Sequence, residues 1–365
     1  MKKYHGQVIY MYAFDIAYEL KAQPPDRVLD IAATDYMMLQ TKRSPRHRFF
    51  YRPKQIVLPS QSCQLATGSA EISSRVLVFG IGALSIQYRV PFEVDHLEQL
   101  ITYHDLQVDS QPLELRAVEL ARRIQADLHD HCVRPTPTLD PEPYTLFCID
   151  ELPVSPDRKG MTAEQWLREH VRPVAGLLTE ESEIENLSAQ EAEESTSQYL
   201  SYYNNDLAVM DWDSALLIGQ GESLDDILHA AELANVQLAE LKTYDQALDM
   251  ALEQSYRDLS VWKTHTNKVV RNNIREIHVD MARLTDELEN ITKFFGDWHL
   301  ARIYRTLSDR FHLAEWHRIL DNKLKTLGDL YQILQQDRNN FWMVILETTI
   351  VLLFILDLIL LLMGK

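Results

Sequence analysis

Hydrophobic and polar residues follow three patterns along this chain, and each pattern predicts a different kind of element. In the first part, short runs rich in β-branched and aromatic residues alternate with segments of helical spacing. From Ser223 to Ile291 apolar residues recur at steps of three and four, with no Gly or Pro. The last apolar stretch, Phe341 to Met363, is long enough to cross a hydrocarbon core as a helix.

The first pattern predicts an N-terminal α/β head. Its predicted strands are Gln7 to Ile16, Gln55 to Leu58, Arg75 to Phe79, Ala83 to Val90 and Tyr144 to Ile149. Gly80-Ile81-Gly82 is predicted to be a hairpin turn, and Asp95 to Tyr103 and Pro112 to His131 have helical spacing. Arg134 to Pro143 contains four prolines and is predicted to be a surface connector. Tyr199 to Ile218 is expected to return the chain to the sheet.

The second pattern predicts a long helical hairpin that resembles a coiled coil. Leu238, Leu241, Leu248 and Leu252 form its seam, which resumes out of phase between Val270 and Ile291. Whether Ser223 to Ile291 is one continuous helix stays open. An unbroken helix would span about 100 Å and needs a partner helix. That partner is either the leucine stripe from Leu313 to Leu334 or a second subunit.

These patterns predict an α+β protein with three parts: the head at residues 1–220, a helical stalk at 221–338 and a membrane anchor at 339–365. All 14 prolines lie at or before Pro173, which supports a change of architecture near that point. Only Gly364 and Lys365 follow the apolar stretch, so we expect a tail-anchored protein. Its single transmembrane helix contains sixteen Phe, Val, Ile and Leu residues. They favour insertion by about 5 to 10 kcal/mol, against about 3 for a central Asp.

Two carboxylates interrupt the apolar stretch. Glu347 and Asp357 are ten residues apart, which places them about 80° apart around a helix axis. They share one broad face with Ile350 and Phe354. This face either lines a proton or ion path or mediates association between spans, and both interpretations require a homo-oligomer. We favour self-association, because one span cannot enclose a path alone.

Charge and cysteine content limit the compartment and the partners. The formal net charge of −18 argues against a general affinity for nucleic acid or anionic lipid. Cys63, Cys132 and Cys148 form no C-x-x-C pair, which fits a reducing compartment. The first fifteen residues lack the apolar core of a secretory signal. We therefore expect a membrane protein with its head in the cytoplasm.

One short segment is strongly basic and contains aromatic residues. We interpret Arg46, Arg48, Arg52 and Lys54, around Phe49 to Tyr51, as a contact for anionic lipid or RNA. The alternative is a solvated loop whose aromatic residues pack on the core. Because the whole chain is acidic, any such contact is local.

Candidate catalytic groups are sparse. His129-Asp130-His131-Cys132 offers metal-ligating atoms, but neighbours on one helix diverge and no second cluster is visible. We therefore expect a helix end there. Asp211-Trp212-Asp213 is predicted to be a strand-end turn. Nucleotide-binding, esterase and zinc-protease motifs are absent, so we assign no catalytic residue, cofactor or metal.

The C-terminal third contains a recognisable set of aromatic, leucine and polar residues: Phe295, Trp298, Leu300, Tyr304, Asn322, Lys323, Leu324, Leu346 and Glu347. This pattern resembles the end of the "required for meiotic nuclear division" family of membrane proteins. A weaker similarity covers Arg75 to Tyr88, where Ile86 and Gln87 stand in place of the family's Trp-Gly pair. The resemblance implies a homo-oligomeric inner-membrane protein without established catalytic residues, which in a bacterium lies in the inner (plasma) membrane. It also implies a link to translation that makes RNA or the ribosome a candidate partner.

Taken together, the sequence predicts a membrane-tethered, homo-oligomeric scaffold that holds a protein partner or its own assembly at the membrane. The alternative is a membrane-bound, metal-dependent hydrolase or nucleic-acid enzyme. In that case His129 and His131, with Asp211 or Asp213, are the candidate groups in the head.

Overall fold

The structure is a computed structural model that describes residues 3–21, 24–36, 53–66, 68–152, 160–219, 222–260 and 298–364. It contains two compact units. The first consists of Met1–Lys242 with Glu289–Ala314, and the second of Thr243–Leu288 with Glu315–Lys365.

The first unit is built on a large mixed sheet. Its strands are β1 Tyr4–Asp15, β2 Ala17–Leu20, β3 Arg27–Val28, β4 Ile31–Asp35, β5 Lys54–Leu65, β6 Gly68–Val78, β7 Ala83–Val94, β8 Gln107–Val108, β9 Gln111–Pro112, β10 Cys132–Pro135, β11 Glu142–Ile149, β12 Tyr199–Leu200, β13 Leu207–Met210 and β14 Ser214–Ile218. Among the described residues ten strands form one sheet, in the order β12-β13-β14-β11-β1-β7-β6-β5-β4-β3. Neighbouring strands are antiparallel except β11 and β14, which pair in parallel. Strands β2 and β10, and β8 and β9, form two small separate pairs.

Helices pack on both faces of this sheet, and others belong to the second unit. The helices are α1 Leu113–Asp127, α2 Ala163–Glu169, α3 Val171–Leu178, α4 Ala189–Ser197, α5 Glu222–Ser260, α6 Trp298–Arg310 and α7 Leu313–Met363, with short 3₁₀ helices at Leu97–Tyr103, His129–His131 and Ile184–Asn186. The protein is therefore an α+β protein with a helical C-terminal region.

The main hydrophobic core lies on one face of the sheet. Strand β1 alternates strictly, so Val8, Tyr10, Tyr12 and Phe14 all face this core. Helix α1 packs against it with a stripe at three- and four-residue steps: Leu113, Ala117, Ala121 and Ile124. Helices α2 and α3 add Trp166, Leu167, Val174 and Leu177 to the same core.

Helix α5 covers the opposite face of the sheet. Every residue from Leu228 to Leu241 is buried, so this part of the helix is enclosed on all sides. Leu233, Val236 and Ala239 pack against Leu77 and Phe79 of the sheet region. On another side, the Tyr304 hydroxyl of α6 donates to Gln237. A helix buried all round needs partners for its polar side chains.

The second unit contains the rest of α5 and most of α7. Leu248 is fully buried, as are Leu320, Leu324 and Leu327. The Lys323 ammonium of α7 lies 2.6 Å from carboxylate oxygens of both Asp245 and Asp249 in α5. The two helices are therefore in contact, while the coiled-coil hairpin stays a prediction. The part of the predicted seam from Val270 to Ile291 lies outside the described residues.

Most predicted head elements are confirmed, and one is wrong in part. The predicted strands correspond to β1, β5, β6, β7 and β11, and the Gly80-Ile81-Gly82 turn connects β6 to β7. The return of the chain to the sheet is confirmed by β12, β13 and β14. The proline-rich connector is wrong at both ends, because Glu142–Ile149 forms β11 and Cys132–Pro135 forms β10, which pairs with β2. That pairing buries Cys132 opposite Leu20, a long-range contact that no local pattern predicts.

Candidate functional site

The most distinctive surface of the protein is the apolar end of α7. Trp342–Leu362 has a mean hydropathy of 2.6, and none of it is buried within the chain. Among the described residues, it is the one helix that is both long enough and apolar enough to cross a membrane. A continuous apolar surface of this size is unfavourable in water, whereas a core helix of a soluble protein would be largely buried by its own chain.

The polar residues of this helix differ in how their hydrogen bonds are satisfied. The Thr348 and Thr349 hydroxyls donate to the carbonyls of Val344 and Ile345, each at 2.7 Å, within the same helix. Neither Glu347 nor Asp357 has a hydrogen-bond or ion-pair partner among the described residues. The carboxylates are therefore the groups of this helix that require something from outside it.

The predicted self-association face is exposed along its whole length. Glu347 and Asp357 are exposed, and Ile350 and Phe354 are 49% and 74% exposed. The helix is continuous from Leu313, so these residues keep the angular positions that a regular helix gives them.

The basic segment is described at one residue. Arg46, Arg48 and Arg52 lie outside the described residues. Lys54 begins β5, where its ammonium contacts Asp26 at 2.9 Å and Asp35 at 3.0 Å. The hydrogen bonds to these two carboxylates raise the pKa of Lys54. The positive charge of Lys54 is thus already paired with two carboxylates of the head, without any lipid or RNA phosphate.

The candidate metal-binding and catalytic groups stay apart from one another. His129–His131 forms a 3₁₀ turn after α1, and Cys132 is buried in β10. The described part of the chain contains no grouping of three or more His, Cys, Asp or Glu residues that could hold a metal. Asp211 and Asp213 flank the β13–β14 turn, as predicted. Burial raises the pKa of both carboxyls.

A buried polar network fixes α5 to the sheet, and the sequence did not reveal it. The Glu232 side chain is fully buried. One carboxylate oxygen accepts from the Arg75 guanidinium at 2.9 Å, and the other accepts from the Ser85 hydroxyl at 2.7 Å. The Arg75 guanidinium also lies over the Tyr36 ring, 5.1 Å from its centroid. Burial of an ionised carboxylate is costly, so the Glu232 side chain is stable here only because it is paired.

His229 completes this network next to Tyr36. Their ring centroids are 5.1 Å apart. Burial, with the nearby Arg75 charge, lowers the pKa of His229 to about 3, so the imidazole is neutral near pH 7. Its Nδ1 has no hydrogen-bond partner within the described residues. A local signal existed, since Arg75 shares a strand face with Leu77 and Phe79, and a charge at an inward position needs a partner.

Comparison with known proteins identifies the family. Residues 5–224 match the family described as "Uncharacterized protein MJ0711, N-terminal domain". The chain belongs to this family. The matched region begins in β1 and ends just inside α5, so the MJ0711 N-terminal domain family corresponds to the sheet, α1 to α4 and the connections between them.

A relative from Methanocaldococcus jannaschii carries the same name, "Uncharacterized protein MJ0711". It is 25% identical over 223 residues, which are 60% of this chain and 65% of the relative. The chain thus covers less than two thirds of that relative's length. No solved structure matches.

The resemblance to the "required for meiotic nuclear division" family is wrong, because the region that identifies the family matches the MJ0711 N-terminal domain instead. Most of the residues that suggested the resemblance lie in α6 and α7. Tyr304 and Leu324, for example, are both buried by helix packing. Aromatic and leucine spacings of this kind recur in unrelated helices, since packing selects them. The link to translation, which rested on the resemblance, has no remaining support.

Proposed function

We propose that the protein is a membrane-tethered, self-associating scaffold, in which the apolar end of α7 anchors the head to a membrane. One observation carries the proposal: Trp342–Leu362 is entirely exposed within the chain and contains two unpaired carboxylates on one face. The first half of that observation supports insertion, and the second supports association between spans.

Insertion is supported by the balance of transfer free energies. The sixteen Phe, Val, Ile and Leu residues of Phe341 to Met363 favour it by about 5 to 10 kcal/mol, and each acid opposes it by at most about 3. The acids lie away from the helix midpoint, which lowers their cost. We take the membrane to be the plasma membrane and the head to be cytoplasmic, since Cys63, Cys132 and Cys148 are all free thiols.

Association is supported by the unsatisfied acids. In a bilayer no water is available to the Glu347 and Asp357 carboxyls, so protonation or a hydrogen bond to a neighbouring helix must satisfy them. A second copy offers the same face in return. The leucines of the stalk are less suited to this role, because Leu238, Leu241 and Leu248 are buried within one chain. We therefore propose that α5 and α7 form an intramolecular antiparallel hairpin and that the spans mediate self-association.

The proposal is tested with the full-length protein in a mild detergent. Light scattering after gel filtration should give a homo-oligomer for the parent, and a smaller mass for a variant that carries both Glu347→Leu and Asp357→Leu. Thr349→Val is the matched control, because it also removes a polar group, but one whose hydroxyl is already satisfied within the same helix by the Ile345 carbonyl. A parent protein that is monomeric in detergent would contradict the scaffold.

Membrane attachment has its own test. Leu353→Arg and Leu356→Arg together should release the full-length protein from membranes during alkaline carbonate extraction. Each arginine opposes insertion by about 2.5 to 3.5 kcal/mol. Retention of this variant together with the parent would show that the apolar helix is not the anchor.

The basic segment is proposed as a secondary contact with the anionic membrane surface. Replacing Arg46, Arg48 and Arg52 by Glu should weaken binding of the full chain to anionic vesicles, most strongly at low salt. Equal binding by variant and parent across a salt series would favour the solvated loop. Binding of RNA instead of vesicles would replace the membrane contact with a nucleic-acid contact.

A further inference from the structure

A pocket of about 550 Å³ lies between α1 and the outer strands of the sheet. Its volume is in the range of sites that bind small molecules. All of its lining residues fall between Leu29 and Arg123, within the part of the chain that matches the MJ0711 N-terminal domain family. The scaffold proposed above assigns no role to it.

An irregularity in β5 contributes to one wall of the pocket. The pairing of β5 with β6 shifts register between Leu58 and Gln61, and both residues line the pocket together with Pro59. A bulge of this kind bends a strand and redirects its side chains. Leu58 and Ile72 supply apolar surface from the strands, and Leu113 and Leu120 supply it from α1.

Two tight turns hold the rim of the pocket in place. The β3–β4 turn has positive φ at Leu29 and Asp30, and the β8–β9 turn has positive φ at Asp109 and Ser110. Such angles are uncommon for residues other than Gly, so other contacts must hold them. The Leu29 N–H donates to the Asp127 carboxylate at 2.8 Å, and the Gln64 N–H donates to Asp109 at 2.9 Å.

Three residues with hydrogen-bond donors line the pocket. Ser74 and Tyr88 are directly opposite each other on β6 and β7, and both line the pocket. Tyr88 is 8% exposed, yet neither hydroxyl has a hydrogen-bond partner within the described residues. Arg116 of α1 is the third donor. Burial raises the pKa of Tyr88 to about 12, and the Arg116 charge opposes that rise, so the phenol stays a hydrogen-bond donor near the guanidinium at neutral pH.

The acids in the lining leave this donor set available. Asp109 accepts from the Gln64 N–H and, at 2.5 Å, from Arg116, so both of its oxygens are occupied. Arg116 also donates to the Cys63 Sγ at 3.7 Å, and it retains further N–H donors, since a guanidinium has five. Glu119 and Arg123 are both exposed and one helical turn apart, so their charges balance at the surface. The lining therefore keeps unused hydrogen-bond donors and one cation, Arg116, which it shares with Asp109.

We propose that this pocket binds a small molecule with a carboxylate or phosphate group on an apolar body, with Arg116, Tyr88 and Ser74 donating to the anionic group. A planar guanidinium with neighbouring hydroxyls suits the oxygens of either anion. The apolar residues of β5, β6 and α1 cover the rest of the ligand.

The experiment uses the full chain in phosphatidylcholine nanodiscs and isothermal titration calorimetry. Phenyl phosphate and benzoate should bind, whereas benzylamine and benzyl alcohol, which have the same ring without an anion, should bind at least tenfold more weakly. Tyr88→Phe with Ser74→Ala should weaken phenyl phosphate binding by about tenfold or more, because hydrogen bonds to a charged group are lost. Tyr203→Phe, an exposed tyrosine outside the pocket, should bind like the parent.

The same assay separates two sources of the anion. If phosphatidic acid in the nanodisc competes with phenyl phosphate, and Tyr88→Phe abolishes the competition, the ligand is a lipid headgroup; without competition it is a soluble molecule. Failure of the folded parent to bind either anion would overturn the proposal, as would equal binding of benzylamine or of the Tyr88→Phe, Ser74→Ala variant. These results do not depend on oligomer mass, so they stand apart from the scaffold.

Discussion

Two glutamates lie among apolar residues in two different regions of the molecule, and the chain satisfies only one of them. Glu232 of α5 is fully buried and accepts hydrogen bonds from Arg75 and Ser85. Glu347, in the apolar end of α7, has no partner within the described residues. A carboxylate that its own chain satisfies belongs to the fold, whereas one left open in apolar surroundings points to a partner outside the chain.

The largest expected effect comes from breaking the satisfied pair. Glu232→Leu leaves the largely buried Arg75 guanidinium without its carboxylate, so we expect the free energy of unfolding to fall by about 3 to 5 kcal/mol. Denaturant unfolding of the full chain in detergent measures this change. The expected loss is large because the desolvated charge remains after its partner is removed.

Two further variants show whether the loss comes from the unpaired charge. Arg75→Met combined with Glu232→Leu should recover much of the stability, since no charge is then left buried. Glu253→Leu removes a glutamate from the same helix whose ion pair with Arg257 is exposed, and it should leave stability unchanged. Equal losses for Glu232→Leu and Glu253→Leu would contradict the contrast between the two environments.

The sequence predicted the parts of the fold that have a local pattern. Alternation predicted β1 and β7, and leucine spacing followed by a long apolar stretch predicted α7. The short strands β2 to β4 and β10 were missed because a few residues at a sheet margin carry little periodicity. Glu232 is 157 residues from Arg75, and Ser74 faces Tyr88 only once β6 and β7 are in register. An inward-facing charge such as Arg75 indicates that a partner is needed, but no local pattern identifies a partner this distant in the sequence.

The open carboxylates should have a smaller effect, on association instead of folding. Glu347→Leu and Asp357→Leu should each weaken the detergent-solubilised oligomer by about 0.5 to 2 kcal/mol, the range for hydrogen bonds between membrane helices. Dilution series followed by light scattering give the dissociation constants. A drop in head stability, with association unchanged, would place these acids inside the fold and remove the contrast with Glu232.

His229 predicts a pH dependence within the satisfied network. The pKa of about 3 in the folded chain lies below the ordinary value near 6.5, so the unfolded chain binds the proton more readily. The contribution of neutral His229 to stability is therefore fully present above pH 6.5, and it is lost progressively as the pH falls towards 3. Between pH 6.5 and 5.5 the expected loss is about 1 kcal/mol. Unfolding of the parent and His229→Gln at both pH values isolates this loss, and identical pH dependence would contradict it.

Lys323 provides an intermediate case with the smallest expected effect. Its contacts with Asp245 and Asp249 are partly exposed, so Lys323→Met should lower stability by less than about 1 kcal/mol. The pair also reports which chain α7 packs against. A zero-length carbodiimide cross-linker should join Lys323 to Asp245 or Asp249, at 2.6 Å, within one chain, and the product should migrate as a cross-linked monomer. If the same peptide pair were instead recovered from a cross-linked dimer, the stalk would be an intersubunit contact, and Glu347 and Asp357 would no longer be the main sites of self-association.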